Sequence, residues 1–330
     1  MKKFLLSLLV LGSALAGQAQ AANDEPTAVL QHGDQASVFT GPSAFVAAHA
    51  NAVDGDVITL SAGTFTPTTI TKKISVYGAG FEQVDETGTD LTKLDAGFVI
   101  TAESDVLLEG IYVDGNLDIN SLQMENLTIN RCQIGDIRAN NVNNSQINQS
   151  VVFGISVHQN TRAYATNFHI SNSRIYFVYN WFSGSTIYVD HCLLSGGFYE
   201  DESNYLNSYT YTNCIFTYNS TTQHMYTGKL AQMINCIYVS ANKVHPQAIV
   251  TNCYEVALAD IFTDGENAAY SPERTWELQQ PDVWVGTDGT PIGPSGGVGW
   301  NKVPTTPVVK NLQLNVSGRT LNVNYEADPR

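Results

Sequence analysis

The sequence predicts an all-β protein, a right-handed parallel β-helix (a solenoid) with an N-terminal helical cap and a C-terminal β-hairpin cover. The first observation is a short signature that recurs at intervals of 17 to 23 residues between positions 129 and 255. The second is the period-two alternation of apolar residues on either side of that signature. Connections between parallel strands are overwhelmingly right-handed, so the two observations together also predict the hand of the winding.

Each signature is centred on a small residue and places a polar pair between two inward-facing apolar residues. The apolar residues lie three positions before the small residue and, except in the last repeat, two positions after it. Inward residues within one strand are two apart, so a spacing of three implies a corner between two strands. The small residues are Cys132, Ser150, Ser173, Cys192, Cys214, Cys236 and Cys253.

The residue before the small one is most often Asn, as at Asn213, Asn235 and Asn252. Asn tolerates left-handed backbone, and stacked amide side chains can bond one another between layers. We therefore expect left-handed bends with stacked amides at these corners. All five cysteines share one phase of the repeat, and we expect them to stack inside the solenoid as free thiols.

The N-terminal residues predict an exported protein. Residues 1–21 have the pattern of a secretory signal, in which Lys2 and Lys3 precede an apolar run and cleavage follows Ala21. The expected location is the periplasm, the extracellular medium or the cell surface. Loss of the two lysines takes the formal net charge from −15 to −17, and so acidic a surface argues against nucleic acid as a partner. We also expect no membrane insertion.

The rest of the chain divides into four segments. Residues 22–40 are an N-terminal extension, and residues 41–56 are a capping helix with Ser43 as N-cap and Gly55 as stop. Residues 57–270 form the parallel β-helix. Residues 271–330 combine a Gly/Pro-rich loop with a C-terminal β-hairpin, which is too small to hold a core alone.

Residues 55–65 and 74–80 resemble the opening of the pectate-lyase-like (pectin-lyase-fold) right-handed β-helix superfamily. With the later corners, the resemblance extends over roughly residues 41 to 270. It implies the β-helix fold but no single reaction, because that superfamily holds lyases, hydrolases, esterases, epimerases and non-catalytic adhesins.

A second resemblance concerns one corner. The segment Ile187–Cys192 is similar to the valine-tryptophan-isoleucine-aspartate-histidine motif of pectate lyases, with Tyr188 in place of tryptophan. In that family catalysis uses calcium and an arginine base, which implies Asp190, His191 and Arg174 as the catalytic residues of a divergent lyase. The family's arginine-proline-arginine segment is missing here. Asp190 and His191 also occupy an ordinary repeat corner, and we favour solvated corner residues.

One acidic run is a candidate metal site. Glu200, Asp201 and Glu202 follow one another in a predicted loop between coils, and oxygen ligands of this density suit Ca²⁺. The alternative is a solvated charge run without a metal. No other cofactor is expected.

Aromatic residues concentrate in the central coils. Phe168, Tyr209 and Tyr211 belong to the core by their phase in the repeat. Aromatic residues at a wet surface suit sugar rings, because they offer a flat apolar face with a polar edge. The candidate ligand-binding residues are Tyr176, Tyr179, Trp181, Tyr188 and Tyr199.

The sequence leaves three functions open. The favoured one is a secreted, non-catalytic β-helix that binds carbohydrate or a cell-surface glycan, or acts as an adhesin. The first alternative is a divergent calcium-dependent polysaccharide lyase of the pectate type. Net charge opposes it, because polyuronides are anionic and no basic cluster is visible in the sequence. The second alternative is a purely structural solenoid.

Overall fold

A computed structural model of the chain shows a parallel β-solenoid. It describes residues 25–82, 91–157, 163–179, 184–196, 208–218, 230–265, 270–303, 308–317 and 320–328. The predicted signal, residues 1–21, lies outside the described residues. In these residues two long sheets of mostly parallel strands run along the solenoid, and their order is consistent with the right-handed winding expected.

The strands are short, as expected when each coil turns several corners. In the first half of the chain they are β1 (Thr27–His32), β2 (Gln35–Thr40), β3 (Val57–Leu60), β4 (Gly63–Phe65), β5 (Ser75–Tyr77), β6 (Thr92–Leu94), β7 (Phe98–Ile100), β8 (Leu107–Glu109), β9 (Ile111–Val113), β10 (Leu117–Glu125), β11 (Thr128–Asn130), β12 (Gln133–Asn143), β13 (Gln146–Asn148) and β14 (Val151–Val157). In the second half they are β15 (Ala165–Thr166), β16 (Phe168–Ser171), β17 (Arg174–Tyr179), β18 (Thr186–Asp190), β19 (Leu193–Leu194), β20 (Ser208–Thr212), β21 (Ile215–Phe216), β22 (Gln232–Ile234), β23 (Ile237–Tyr238), β24 (Ile249–Thr251), β25 (Tyr254–Glu255), β26 (Val308–Ser317) and β27 (Thr320–Asp328).

The two sheets take alternate strands of each coil. The first sheet has the order β2-β1-β3-β5-β8-β11-β13-β16-β18-β20-β22-β24. The second sheet follows β25-β23-β21-β19-β17-β14-β12-β9-β6-β4, and β7, β10 and β15 pair at its side. Equivalent residues of successive coils lie side by side, for example Val189 beside Tyr211 and Tyr211 beside Met233.

The N-terminal end of the solenoid carries a hairpin and a helix. Strands β1 and β2 pair antiparallel, and β1 also pairs antiparallel with β3, so the edge of the first parallel strand is covered. Helix α1 (Ala44–Asn51) begins after Ser43, as the sequence predicts, but Ser43 makes no side-chain cap hydrogen bond. The helix ends at Ala52 rather than at Gly55. On the buried face of the helix, Phe45 and Ala48 pack against the interior core.

The corner between the two sheets has the predicted backbone. We call it the first corner, and every residue there has a positive φ between 43° and 55°. The residues are Arg131, Gln149, Asn172, His191, Asn213, Asn235 and Asn252. A second corner, ahead of the strands of the first sheet, repeats the same conformation without having been predicted. Its residues are Asp105, Asn126, Asn144 and Asn167, with φ between 48° and 58°.

The cysteine column lies inside the solenoid, as predicted. Cys132, Cys192, Cys214 and Cys236 are fully buried, Cys253 of the last coil is partly buried, and all five are free thiols. The apolar column three positions earlier is equally buried from Ile129 to Met233. The core aromatics Phe168, Tyr209 and Tyr211 are also buried.

Residues 270–303, which we call the strap, run back along the outside of the first corner. Val285 contacts the corner at Asn235, and Gly299 contacts it at Gln149, so the strap moves toward earlier coils as the chain proceeds. At its end, the Lys302 ammonium lies 2.6 Å from the carboxylate of Glu82.

The strap corrects one expectation about the corner amides. The predicted stack of amides bonded to one another is wrong for Asn172 and Asn235, because their side chains donate to strap carbonyls instead. The strap also packs a second apolar cluster against outward residues of the second sheet. This cluster contains Leu193, Ile215, Ile237, Ile261, Phe262, Trp276, Leu278, Trp284 and Ile292.

The C-terminal residues form a two-stranded antiparallel sheet. Strand β26 pairs antiparallel with β27, and Val316 lies beside Leu321. Its role as a cover stays a prediction. Outside the strands and α1, the described residues contain short 3-10 helices at Ala241–Lys243 and Leu258–Asp260.

Candidate functional site

A cavity of about 300 Å³ lies on the outer face of the second sheet, between the coils and the start of the strap. It combines aromatic, charged and amide side chains, which is the usual composition of a small-ligand site. The lining residues are Tyr112, Val113, Asp114, Gly115, Gln133, Ile134, Gly135, Val151, Phe153, Arg174 and Tyr270.

The register of the second sheet brings these side chains together. Tyr112 lies beside Gln133, Gln133 beside Val151, and Val151 beside Arg174 in successive coils. Each of the last three directly follows the small corner residue of its repeat, so all of them point away from the core. Four coils therefore contribute one outward column to the cavity.

A glycine makes the recess. A Cβ at Gly135 would lie 2.6 Å from the carbonyl oxygen of Gly115, so the coils approach here too closely for a side chain. The next coil has Phe153 at the corresponding position, since Ile134 pairs with Val152 and Asp136 with Gly154. Gly115 and Gly135 therefore line the recess with backbone atoms, and the ring of Phe153 forms a wall beside them.

Stacked aromatic rings extend that wall along the solenoid. Phe153 and Tyr176 lie with ring centroids 4.8 Å apart and an interplanar angle of 4°. The Phe153 side chain is 50% exposed, which is unusual for so large an apolar residue in a stacked pair. Tyr270 of the strap lines the cavity as well, so the docked strap completes it.

Besides the hydroxyl groups of Tyr112 and Tyr270, the described polar side chains of the cavity are one cation, one carboxylate and one amide. The Asp114 carboxylate is held by the Lys93 ammonium at 2.7 Å. The guanidinium of Arg174 lies 5.8 Å from the ring centroid of Tyr176, and its Nε is buried without a hydrogen-bond partner. Burial lowers the pKa of Arg174, an effect partly opposed by Tyr176, and the group stays cationic at neutral pH.

The structure separates the predicted glycan-binding residues. Tyr176 stands at the edge of the cavity, whereas Tyr188 lies on the first sheet, stacked on His169 at 4.8 Å with an angle of 19°. Tyr179 ends strand β17. Trp181 and Tyr199 lie outside the described residues, as do Glu200, Asp201 and Glu202 of the predicted calcium site.

The residues implied by the lyase resemblance do not share an open surface. Arg174 lines the cavity, while His191 is 1% exposed and lies under the strap. The expectation of a solvated corner is therefore wrong for His191. Its Nε2 is 3.1 Å from Thr290 Oγ1, and its Nδ1 is 3.0 Å from the carboxylate of Asp190. The backbone of Gly296 and Gly297 packs against its ring.

Within the described residues, no group of three or more His, Cys, Asp or Glu side chains is arranged to hold a metal ion. No helix among them has the length and apolar character needed to cross a membrane.

Comparison with known proteins gives no relative from which to transfer a function. No protein-family model matches the chain, and no curated protein matches it. The parallel β-solenoid is therefore established from the structure, while membership of the pectate-lyase-like superfamily stays a resemblance.

Sequence reasoning missed most of the cavity. Tyr112, Asp114, Gln133 and Phe153 were not predicted as site residues, although the repeat contained a usable signal. Positions one and three after the small corner residue point outward, and large side chains there mark an exterior site. Tyr270 had no such signal, because the strap is not part of the repeat.

Proposed function

We propose that this protein is an exported, non-catalytic β-helix that binds glycan at the cavity on the outer face of its second sheet. The observation that carries the proposal is the stacked pair of Phe153 and Tyr176 beside the recess at Gly135. A sugar ring has an apolar face that packs on an aromatic ring and hydroxyl groups that need polar partners. Gln133 and Asp114 supply such partners next to the aromatic wall.

The ionisable groups of the cavity favour binding over cleavage. Asp114 is the one carboxylate among the described lining residues, and one of its oxygens lies 2.7 Å from the Lys93 ammonium. Glycosidic hydrolysis commonly uses two carboxyl groups as acid and base or nucleophile. A lyase of the pectate type would use Arg174 as its base together with bound calcium, and the activity test below decides that alternative.

The direct test measures glycan binding by variants of the aromatic wall. We expect Phe153→Ala to weaken binding about fivefold to tenfold, as judged from the ~1 kcal/mol of an aromatic contact. Tyr188→Ala is the matched control, because Tyr188 belongs to a stacked pair on the other sheet and is 41% exposed. A glycan array identifies the ligand, and isothermal titration then compares the wild type with both variants.

Three outcomes separate the candidate functions. Binding lost in Phe153→Ala and retained in Tyr188→Ala supports the proposal. Incubation with polygalacturonate and calcium tests the lyase, since an unsaturated product absorbs in the ultraviolet. Turnover that disappears in an Asp190→Ala or Arg174→Ala variant would establish the lyase in its place. A silent array without turnover would leave the structural solenoid.

A further inference from the structure

Arg174 differs from the other arginines that the structure describes. Each of those, Arg131, Arg138 and Arg274, lies within 3.3 Å of a carboxylate. Arg174 has no carboxylate partner among the described residues, and its one aromatic contact is with Tyr176. A guanidinium taken out of water without a counter-charge is costly, so a largely buried arginine is normally paired.

The unpaired group faces the cavity. Arg174 is among its lining residues, and its buried Nε lacks a hydrogen-bond partner. The arginine fork presents parallel N–H donors that match the two oxygens of a carboxylate or a sulfate. The cavity thus contains a donor set for an anion directly beside an aromatic wall for a sugar ring.

We propose that the cavity binds a sugar residue that carries a single carboxylate or sulfate group, and that Arg174 binds that group directly, without a metal. This inference rests on the proposed glycan-binding function and specifies its ligand. Asp114 lines the same cavity, and Asp95 lies near Lys93, the ion-pair partner of Asp114. Further anionic groups on neighbouring sugars would therefore be repelled by these carboxylates. The site therefore selects an isolated acidic sugar over a polyanion.

The experiment compares matched sugars in the presence of EDTA. Isothermal titration of the full chain measures affinity for methyl glucoside, methyl glucuronide and methyl glucoside 6-sulfate, which share the ring and differ in the anionic group. We expect at least one acidic sugar to bind about tenfold more tightly than the neutral one, because charge-assisted hydrogen bonds exceed neutral ones. The stronger of the two acidic ligands identifies carboxylate or sulfate as the natural group.

Variants assign that preference to one side chain. Arg174→Gln should remove the difference between acidic and neutral sugars, and Arg174→Lys should restore part of it, since Lys keeps the charge without the fork. Arg138→Gln is the control, because Arg138 is already bound by Asp118 through two hydrogen bonds and does not line the cavity. An unchanged preference in Arg174→Gln would overturn the inference.

The two proposals fail in distinguishable ways. Neutral and acidic sugars that bind equally, with loss in Phe153→Ala, would overturn the inference and leave glycan binding intact. If no sugar binds, glycan binding fails, and nuclear magnetic resonance of the Arg174 Nε–H during titration with inorganic sulfate decides the anion site. A saturable shift that is absent for Arg138 supports that site, and an unmoved resonance overturns it.

Discussion

The two corners of the solenoid share a backbone conformation but use their side chains differently. At the second corner, Asn126 donates to Asp105 at 2.9 Å and Asn167 donates to Asn144 at 2.8 Å, so the side chains bond their neighbours in adjacent coils. At the first corner, Asn172 donates to Pro294 and Gly296, which are 122 and 124 residues away in sequence. The strap covers the first corner from Gln149 to Asn235, whereas all four residues of the second corner are exposed.

The comparison separates two roles of asparagine. Left-handed backbone is a local requirement, and both corners meet it with polar residues, of which Asn is the most frequent. The amide partner is a matter of tertiary structure, and it depends on whether another segment covers the corner. Corner amides therefore stiffen the turn in both places, but only at the first corner do they hold a distant segment of the chain.

The largest expected effect comes from removing the packing that holds the strap on the first corner. Trp276 is fully buried in the cluster between the strap and the second sheet. We expect Trp276→Ala to lower the free energy of unfolding by about 3–5 kcal/mol, because it leaves a large cavity. Urea denaturation, monitored by circular dichroism, measures this change in the free energy of unfolding.

Val298→Ala is the control for that variant, because Val298 also belongs to the strap but is 80% exposed. It should change the stability by less than about 0.5 kcal/mol. Equal urea midpoints for the Trp276 variant and the wild type would show that the strap is not held by this cluster, and the two corners would then differ less than described.

A smaller loss of stability is expected when one side-chain amide under the strap is removed. The Asn213 side chain donates to Asp190 and Thr287, and its oxygen accepts the backbone N–H of Thr287 at 2.9 Å. Asn213→Ala should cost about 2–3 kcal/mol, since it orphans a strap N–H and strains a φ of +55°. Thermal and urea unfolding both report it.

Asn213→Gly sharpens the result, because glycine relieves the backbone strain and still removes the side chain. We expect the glycine variant to recover about 1 kcal/mol of the loss. Full recovery would mean that the hydrogen bonds to the strap contribute nothing, contrary to the role assigned to the covered corner.

The same change at the open corner should matter less. Asn167 has a φ of +52°, but its side chain is exposed and, among the described residues, bonds only Asn144 and His169. We expect Asn167→Ala to cost about 1 kcal/mol. A loss as large as that of Asn213→Ala, under the same urea protocol, would show that coverage by the strap does not distinguish the corners.

The smallest expected effect is a change in the stability of the fold at low pH. Burial raises the pKa of Asp288, but hydrogen bonds from the Thr290 N–H and hydroxyl and the charge of His191 outweigh it and lower the pKa overall. A lowered pKa stabilises the folded state above the unfolded value near 4, and this stability is lost as the pH falls through the folded pKa. Asp288→Asn should therefore flatten the fall in melting temperature below about pH 4. An unchanged profile would exclude Asp288 from holding the strap.

The sequence predicts the solenoid well because its determinants are local. An Asn at positions such as 213 and 235 predicts a left-handed turn, because Asn tolerates that backbone conformation. The apolar residues around it indicate which side chains of the strands point into the core. The free, buried cysteine column follows from the same phase. The helix at Ala44–Asn51 was also predicted, although its end at Ala52 was not, since Gly55 lies in the next turn.

The candidate site was harder to predict, because its parts come from different sources. Arg174 was named from the lyase resemblance and Tyr176 from the aromatic cluster, without a prediction that they share a sheet face, and their neighbour Phe153 was not considered. Tyr188 carries the same residue type at a position of the other sheet. The strap residues Tyr270 and Thr290 have no repeat phase, and their partners lie far away in sequence, so no local pattern places them.

The strap has a consequence for how the length of this solenoid can vary. A repeat protein usually gains or loses units by duplication or deletion, because each unit touches only its neighbours. Here, the strap is one continuous segment that contacts one corner residue in each of five successive coils. These residues are Asn235, Asn213, His191, Asn172 and Gln149. An inserted coil would displace every contact beyond it, so the number of coils in this stretch is tied to the length of the strap.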